Sequence, residues 1–591
     1  MDYGLIGNCA VAALVDTRGS IDWFCLPRLD GDPVFHRLLG HGPGAPEDGA
    51  FSIELDGFAT SEQIYEPNTA VLKTVLRGAS GAVEIIDFCP RFEARGRSFR
   101  PQMIIRRIRP LDGWPRVRFR VRPRFDWARA APQITRGSNH VRFLGGDQVL
   151  RMTTDAPMDH VLDEQLINLD RPLTFILGPD ESLAESPREV GKTFLEETCL
   201  YWRRWVRRLA VPLEWQQAVI RAAITLKLCT YEATGGVIAA VTTSIPEAPN
   251  SGRNWDYRYC WVRDAFFTVR ALNSLAATRT LETYFQWLMN VVADAGGGHI
   301  QPVLGVGLET QLTESTSEVL QGYRGMGPVR IGNQAHEHFQ HDTYGNVILG
   351  AAPAFFDERL YMDVGEAAFQ MLEPLGEQSW TLHDQPDAGI WELRTRARVH
   401  TSSSLMCWAG CDRLAKIARH LGLGARATFW AERAVTIKDK ILEHAWSEER
   451  QAFVESFGGR TLDASVLLMG EVGFLPPGDA RFKSTVNALS ETLGKGPFML
   501  RYEEADDFGS PEVGFNVCAF WRLDALARIG RVDEARDHFE ALLAARNHLG
   551  LMSEDSDYAT GAAWGNFPQT YSMVGIVNGA MRLSRKWEAE L

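Results

Sequence analysis

The strongest constraint on this chain is a change of hydrophobic period near Glu189. Upstream, from Phe51 to about Phe175, apolar and polar residues often alternate. In Arg116-Val117-Arg118-Phe119-Arg120-Val121-Arg122 the arginines fall on one face and the apolar groups on the other, the period of a half-buried strand. Short β-prone runs recur at Val71–Leu76, Met103–Ile108, His140–Phe143 and Val149–Met152, separated by Gly, Pro and Asp turns. Downstream, Phe194, Leu195, Cys199, Trp202, Val206 and Leu209 recur mostly at three- and four-residue steps, which is a helix. Twelve more helix-like stretches follow, near 213–232, 260–275, 279–293, 342–357, 360–378, 402–420, 425–445, 463–473, 481–494, 513–529, 532–545 and 570–588. Paired in order they make six hairpins that can close into a double ring, with loops at one end forming a pocket. The chain therefore reads as a multi-domain α+β protein: an antiparallel β-sandwich over 1–188, a helical linker over 189–210 and an (α/α)6 barrel over 211–591.

Composition narrows the function. With 591 residues, 45% hydrophobic and 23% charged, the chain is neither disordered, collagen-like nor a coiled coil. A net charge of −13 without a basic block argues against nucleic acid or an anionic membrane as partner and suits a neutral small molecule. No apolar run reaches about 18 residues, and Met1-Asp2-Tyr3-Gly4 lacks a signal-peptide pattern, so a cytoplasmic location is expected. The nine cysteines are scattered without CxxC spacing and read as reduced buried thiols. Cys407 and Cys411 lie one helical turn apart, but only His400 is near them, short of a zinc ligand set. Gly40, Gly42 and Gly44 lack the strand-to-helix context of a phosphate loop. Ser402, Ser403 and Ser404 lack the GxSxG elbow of a nucleophile. Neither a metal nor a cofactor is expected.

Four clusters have the residue types of a sugar site. Arg253-Asn254-Trp255-Asp256-Tyr257-Arg258-Tyr259-Cys260-Trp261-Val262-Arg263-Asp264 sets aromatics among alternating charges just before a helix. Aromatic faces stack on sugar rings, and Arg and Asp supply the paired hydrogen bonds that vicinal hydroxyls need. A helix start carrying acids where the dipole favours them accounts for part of the same pattern. Gly389-Ile390-Trp391-Glu392-Leu393-Arg394 puts an acid beside an indole, and an apolar wall raises a carboxyl pKa toward what a general acid needs. An exposed glutamate with arginine neighbours is the plainer reading. The stretch from Gly332 to Asn346 gathers His336, His338 and His341 with amides and acids, residue types that serve capping and hydroxyl recognition as well as metal binding. Gly561 to Tyr571 precedes the last helix and either closes the pocket or is a plain Gly/Pro loop.

Together these clusters resemble family 15 of the glycoside hydrolases, the glucoamylase-type enzymes, and within it the bacterial glucoamylase- and trehalase-like proteins. The resemblance runs from Tyr3-Gly4-Leu5-Ile6-Gly7-Asn8-Cys9 and Gly19 to Pro27 through to Gly565-Asn566-Phe567-Pro568-Gln569. It implies an N-terminal β-sandwich, a helical linker and a six-hairpin barrel, in agreement with the period analysis. The Asn-x-Asp-Tyr-x-Tyr-x-Trp-x-Arg-Asp pattern matches Asn254 to Asp264. By that resemblance Arg263 and Asp264 grip the terminal sugar, and Tyr257 and Trp261 form its walls. Trp391-Glu392 matches the family's acid, making Glu392 the proton donor to the glycosidic oxygen. Arg501, in Leu500-Arg501-Tyr502-Glu503-Glu504, resembles a further sugar-binding arginine, and Gln340 with Asp342 a Gln-x-Asp pattern beside the same subsite.

Two departures stand out. Tyr344-Gly345-Asn346 replaces the Tyr-Gly-Glu common in bacterial relatives, and Gly561 is followed by Ala562 where the resemblance implies the catalytic base. An inverting hydrolase needs a second carboxylate to deprotonate water, so position 562 reads as a vacant base site. Three explanations are open: an engineered Glu-to-Ala variant, a nearby acid (Glu512, Glu554, Asp555 or Asp557) in its place, or phosphate attacking directly as in disaccharide phosphorylases. The expected function is an inverting, exo-acting α-glucoside hydrolase, impaired at its base, that releases glucose from short isomaltose-, maltose- or trehalose-type saccharides. A non-catalytic sugar-binding protein is the alternative. Residues 303 to 330, with six of them Gly or Tyr (Gly305, Gly307, Gly322, Tyr323, Gly325, Gly327), are expected at the pocket mouth.

Overall fold

The computed structural model describes residues 1–40, 48–362 and 364–589; Gly42 and Gly44 of the glycine-rich turn lie outside them. Two antiparallel sheets come first. One carries, in spatial order, Gly4–Gly7, Ala12–Val15, Ile21–Leu26, Ala50–Leu55, Arg116–Arg122 and Ile167–Asn168, with Asp32–Phe35 paired to Ile21–Leu26. The other runs Gln133–Arg136, His140–Gly145, Gln148–Thr154, Leu173–Gly178, Ile104–Gly113, Gly81–Phe88, Leu72–Gly78, Phe58–Tyr65. The alternation in Arg116–Arg122 has its expected consequence. Val117 and Phe119 are fully buried, while Arg120 and Arg122 on the other face pair with Glu164. The inner faces meet in one core, where the Phe175 ring lies 4.6 Å from Phe119 and 5.6 Å from Phe51. This is face-to-face sandwich packing.

One cation crosses that core. Arg106 and Asp87, paired at 2.7 Å and both fully buried, belong to the second sheet. The same guanidinium donates to the carbonyls of Phe51, at 2.5 Å, and of Gly19, on the first-sheet side.

The helix Pro187–Val206 starts with Ser186 accepting from the Glu189 N–H and proline in its first turn, both standard starting signals. Val190, Phe194, Leu195 and Cys199 cover the outer face of the second sheet at Ile86, Phe88 and Ile105. That sheet is therefore apolar on both faces here, and strict alternation is lost. Trp202 and Val206, farther along the helix, join the core of the helical part.

Twelve helices among the described residues build the double ring: α1 (Gln216–Leu228), α2 (Val262–Ser274), α3 (Thr278–Ala295), α4 (Asp342–Ala351), α5 (Glu366–Leu382), α6 (Thr401–His420), α7 (Gly424–His444), α8 (Leu468–Glu471), α9 (Ala480–Leu493), α10 (Asn516–Arg528), α11 (Val532–Ala544) and α12 (Thr570–Leu583), with one further turn of helix, Pro353–Phe356, following α4. The even-numbered helices form the inner ring. Each packs on the next, α8 through the 3-10 turn Ala464–Leu467 ahead of it, and α12 returns to α2. The odd-numbered helices pack outside them. α4 and α6 cross closely because both carry glycine at the contact: a Cβ on Gly345 would overlap the Met406 carbonyl. All twelve expected stretches contain a helix, with α5 displaced to 366–382 and α12 ending at 583. The architecture is α+β, an antiparallel sandwich followed by an (α/α)6 barrel.

No helix among the described residues is long and apolar enough to cross a membrane. Replacing Arg106 by Met leaves Asp87 buried without its cation, which costs about 3–5 kcal/mol. Urea unfolding should show this as a lower midpoint for the sandwich; a loss below about 1 kcal/mol, the scale of a surface pair, would contradict it.

Candidate active site

The cleft opens where the inner helices begin. It is lined by residues at the start of α2 and α12 (Trp261, Arg263, Asp264, Gln569, Tyr571) and by segments leading into α6 and α10 (Ile390 to Arg394, Arg501, Asp506, Phe508, Phe515).

The segment before α2 explains how sandwich and barrel share one motif. Its backbone is extended, with the carbonyls of Trp255, Tyr257 and Tyr259 accepting from Ser244, Ala240 and Ala239. Side chains therefore alternate. Trp255, Tyr257 and Trp261 line the cleft. Asp256 and Arg258 are fully buried on the other side. There Arg258 makes a bidentate pair with Asp256 at 2.9 and 2.8 Å, donates to the Gly31 carbonyl at 2.6 Å, and lies over the Trp127 ring. Half of the apparent sugar-site motif is thus a joint to the sandwich.

Glu392 sits on the tight turn 389–393 at φ 60°, a left-handed conformation that a non-glycine residue keeps only where its surroundings hold it. Arg263 donates to the Ile390 carbonyl at 3.0 Å, and Leu393 N–H to the Ala388 carbonyl. The Trp261 indole donates to Glu392 Oε1 at 2.6 Å, with Arg263 at 3.5 Å from the same oxygen. The carboxyl remains 21% exposed, open to a ligand. Asp264 pairs with Arg263 at 3.3 Å. Burial pushes its carboxyl up to about 6, Arg263 opposing and the Glu392 charge adding.

Of the expected site residues, Tyr257, Trp261, Arg263, Asp264, Trp391, Glu392 and Arg501 come together around the cleft. Gln340 and Asp342 do not line it; both are buried, and Asp342 accepts from Asn346 at 2.9 Å. The three histidines go separate ways. His338 lines the cleft, His336 Nδ1 is 2.8 Å from the Asn333 carbonyl, and the His341 N–H donates to Asp387.

The vacancy read at position 562 is corrected. Ala562 is exposed, in the loop joining the strands Asp555–Ser556 and Ala563–Trp564, where its N–H meets Thr560 Oγ1 and its carbonyl accepts from Asp557. A carboxylate there would stand in solvent rather than in the cleft. Asp557 caps the same loop through the Ala559 and Thr560 N–H groups, and Glu512 is exposed.

A carboxyl that touches the cleft wall from behind, through Tyr257, is Glu554. It is fully buried and accepts from the Tyr257 hydroxyl at 2.6 Å and from the Asn566 N–H at 3.3 Å. Burial, with the Glu247 charge adding, pushes its pKa up against the pull of Arg501. Its neighbour Asp555, also fully buried, has no hydrogen bond to its carboxyl among the described residues, lies 3.6 Å from Arg501, and is pushed far up by burial and by Glu554 against the pull of Arg501.

Sequence reasoning named Glu554 and Asp555 only among four candidate acids and Arg253 only as the first residue of the aromatic stretch, and it missed Glu247, Asp463 and Asp506. Glu247 accepts from Trp255 at 3.0 Å and pairs with Arg501 at 2.5 Å, and Arg253 grips Asp506 with both of its terminal nitrogens. Glu247, Asp463 and Asp506 lie in no patterned stretch; each is found by its partner. Residues 303–330, expected at the mouth, contribute nothing to the cleft lining. They support its edge, Glu314 pairing with Arg394 at 3.0 Å and Arg330 lying over Trp255, and they also meet the sandwich, Gly322 donating to the Leu39 carbonyl and Glu309 pairing with Arg28.

The family description "Glycosyl hydrolases family 15" matches residues 215–580, and "Trehalase-like, N-terminal" matches residues 2–161. The chain is 30% identical to a trehalase of Mycolicibacterium smegmatis over 99% of its own length and 91% of that protein. It is 30% identical to a trehalase of Thermoplasma volcanium over 98% and 93%. A bacterial glucoamylase solved with acarbose superposes with a TM-score of 0.70 at 14% identity, covering 98% of this chain and 93% of that one; at that identity the likeness concerns the fold. With its barrel, its sandwich and nearly its whole length matched, the chain belongs to glycosyl hydrolase family 15 and is a glycoside hydrolase.

Proposed function

We propose that the protein hydrolyses trehalose, or a closely similar short α-glucoside, with inversion, Glu392 serving as general acid and Glu554 as general base. The observation that carries this reading is the pair of carboxyls joined through two aromatic side chains. Glu392 is held by Trp261 and Glu554 by Tyr257, each at 2.6 Å, and the two rings meet edge to face at 5.4 Å. Inverting pairs stand about 6.5 to 9.5 Å apart to leave room for water, retaining pairs only about 5 to 5.5 Å. Two interposed rings favour the wider arrangement. Glu392, partly open to the cleft, protonates the leaving oxygen. Glu554, oriented by the Tyr257 hydroxyl, takes the proton from the attacking water. Arg263 and Asp264 bind hydroxyls of the sugar that is attacked. Trehalose is named because the full-length relatives carry that activity in their names. The nine cysteines, all free and buried, suit a reducing compartment such as the cytoplasm.

Phosphate as nucleophile is disfavoured by the charge pattern. Each arginine lining the cleft already faces a carboxylate: Arg253 with Asp506, Arg263 with Asp264, Arg394 with Glu314, Arg501 with Glu247.

Glucose release from trehalose should fall by about 10² to 10⁴ in kcat for both Glu392→Gln and Glu554→Gln. Ala562→Glu should leave it unchanged. Full activity in Glu554→Gln, or a large gain in Ala562→Glu, would return the base to the exposed loop. The pH profile follows from burial. A base must be ionised, so kcat/KM falls as pH drops through the raised Glu554 pKa. Glu247→Gln removes a neighbouring negative charge and frees Arg501, and both effects lower that pKa. The acidic limb should move down by about one unit; a limb that stays or moves up contradicts the assignment.

A further inference from the structure

Trp391, the residue before Glu392, is held from behind. Its indole N–H donates to Asp463 Oδ2 at 2.6 Å. Asp463 is buried, and its two oxygens divide the work: Oδ1 accepts from the Ser465 N–H at 2.7 Å and the Ser465 hydroxyl at 2.5 Å, so that it caps the turn leading into α8. Oδ2 is left to the indole. The Trp391 ring is packed among Tyr502, Phe515 and Trp521, at 5.9, 5.7 and 6.3 Å between centroids. Asp463 is itself tied by its backbone, bridging to Tyr502, with the Ala464 N–H donating to the Arg501 carbonyl at 2.9 Å. Glu392 follows directly, in the left-handed conformation that only its surroundings sustain.

Building on the assignment of Glu392 as acid, we propose that Asp463 is a positioning residue for proton donation: its hydrogen bond to the Trp391 indole fixes the strained turn so that the Glu392 carboxyl meets the glycosidic oxygen. Trp261 holds the carboxyl at its tip, and Asp463 holds the turn at its root. A reacting group displaced by about 1 Å can lose about 10² in rate, so the clasp acts on chemistry more than on binding.

Capping alone would explain Asp463 as well, and the two roles separate by substitution. Asparagine caps as well as aspartate. With its oxygen on the Ser465 side, however, it presents an NH2 group to the indole N–H. Trp391→Phe removes the same hydrogen bond from the other end and keeps a packing ring.

The test compares trehalose, whose leaving sugar needs a proton, with α-D-glucosyl fluoride, whose leaving fluoride needs far less help. Asp463→Asn and Trp391→Phe should each lower kcat on trehalose by about 10- to 100-fold, the loss on the fluoride being clearly smaller in both and, in Asp463→Asn, KM and the fluoride rate little changed. The double variant should be no worse than either single one, since the two remove one interaction. Normal trehalose turnover in Asp463→Asn, or equal losses on both substrates in the two single variants, would overturn the proposal. Glu392→Gln is the control. It should lose trehalose activity and keep fluoride activity; if it treats the two alike, the acid assignment fails, and the proposal with it, whatever Asp463→Asn does.

Discussion

The structure turns on the buried pairing of Arg258 with Asp256. These residues alternate with Tyr257 and Trp261 on one extended segment, so fixing one side of the segment fixes the other. On the sandwich side, Arg258 is bound by Asp256, the Gly31 carbonyl and the Trp127 face. On the cleft side, Tyr257 holds Glu554 and Trp261 holds Glu392. The sandwich therefore bears on the geometry of the cleft even though none of its residues lines it. An ion pair with no exposure is costly to bury and weak evidence for stability in itself; here its geometric consequence is that two carboxyls on distant parts of the chain answer to one strand.

The electrostatics of the cleft follow from how its cations are spent. Arg253, Arg263, Arg394 and Arg501 each face an acid. Glu554 is left with neutral donors only, the Tyr257 hydroxyl and the Asn566 N–H. Without a cation of its own, and with Glu247 nearby, a fully buried carboxyl is a strong base. Glu392 has an indole donor, a more distant guanidinium and partial access to solvent. Two carboxyls in such different surroundings are suited to opposite proton-transfer roles.

Much of this was legible in the sequence. The change of period separates sandwich from barrel, and apolar repeats mark all twelve helices, because both elements bury one periodic face. Trp391-Glu392 stood out because its apolar neighbour is its sequence neighbour. Glu554 did not, since its environment is built by Tyr257, Glu247 and Arg501, residues far away in the chain, and burial by distant partners leaves no local pattern. Ala562 drew attention through its nearness to Gly565-Asn566-Phe567-Pro568-Gln569, yet two short strands and their turn separate nearness in sequence from nearness to the cleft. Asp256 and Arg258 show the converse: a dense motif read as one pocket is two faces of a strand.

The central claim is that this chain carries a complete inverting pair, with water activated by Glu554 on the side opposite the leaving sugar. Both anomeric carbons of trehalose are α. Inversion at one of them releases one β-glucose, while the leaving sugar departs as α-glucose. Proton NMR of the first products, recorded before mutarotation, should therefore show equal amounts of the two anomers from the unmodified protein. Products that begin entirely as α-glucose, or no turnover at all, would contradict the account.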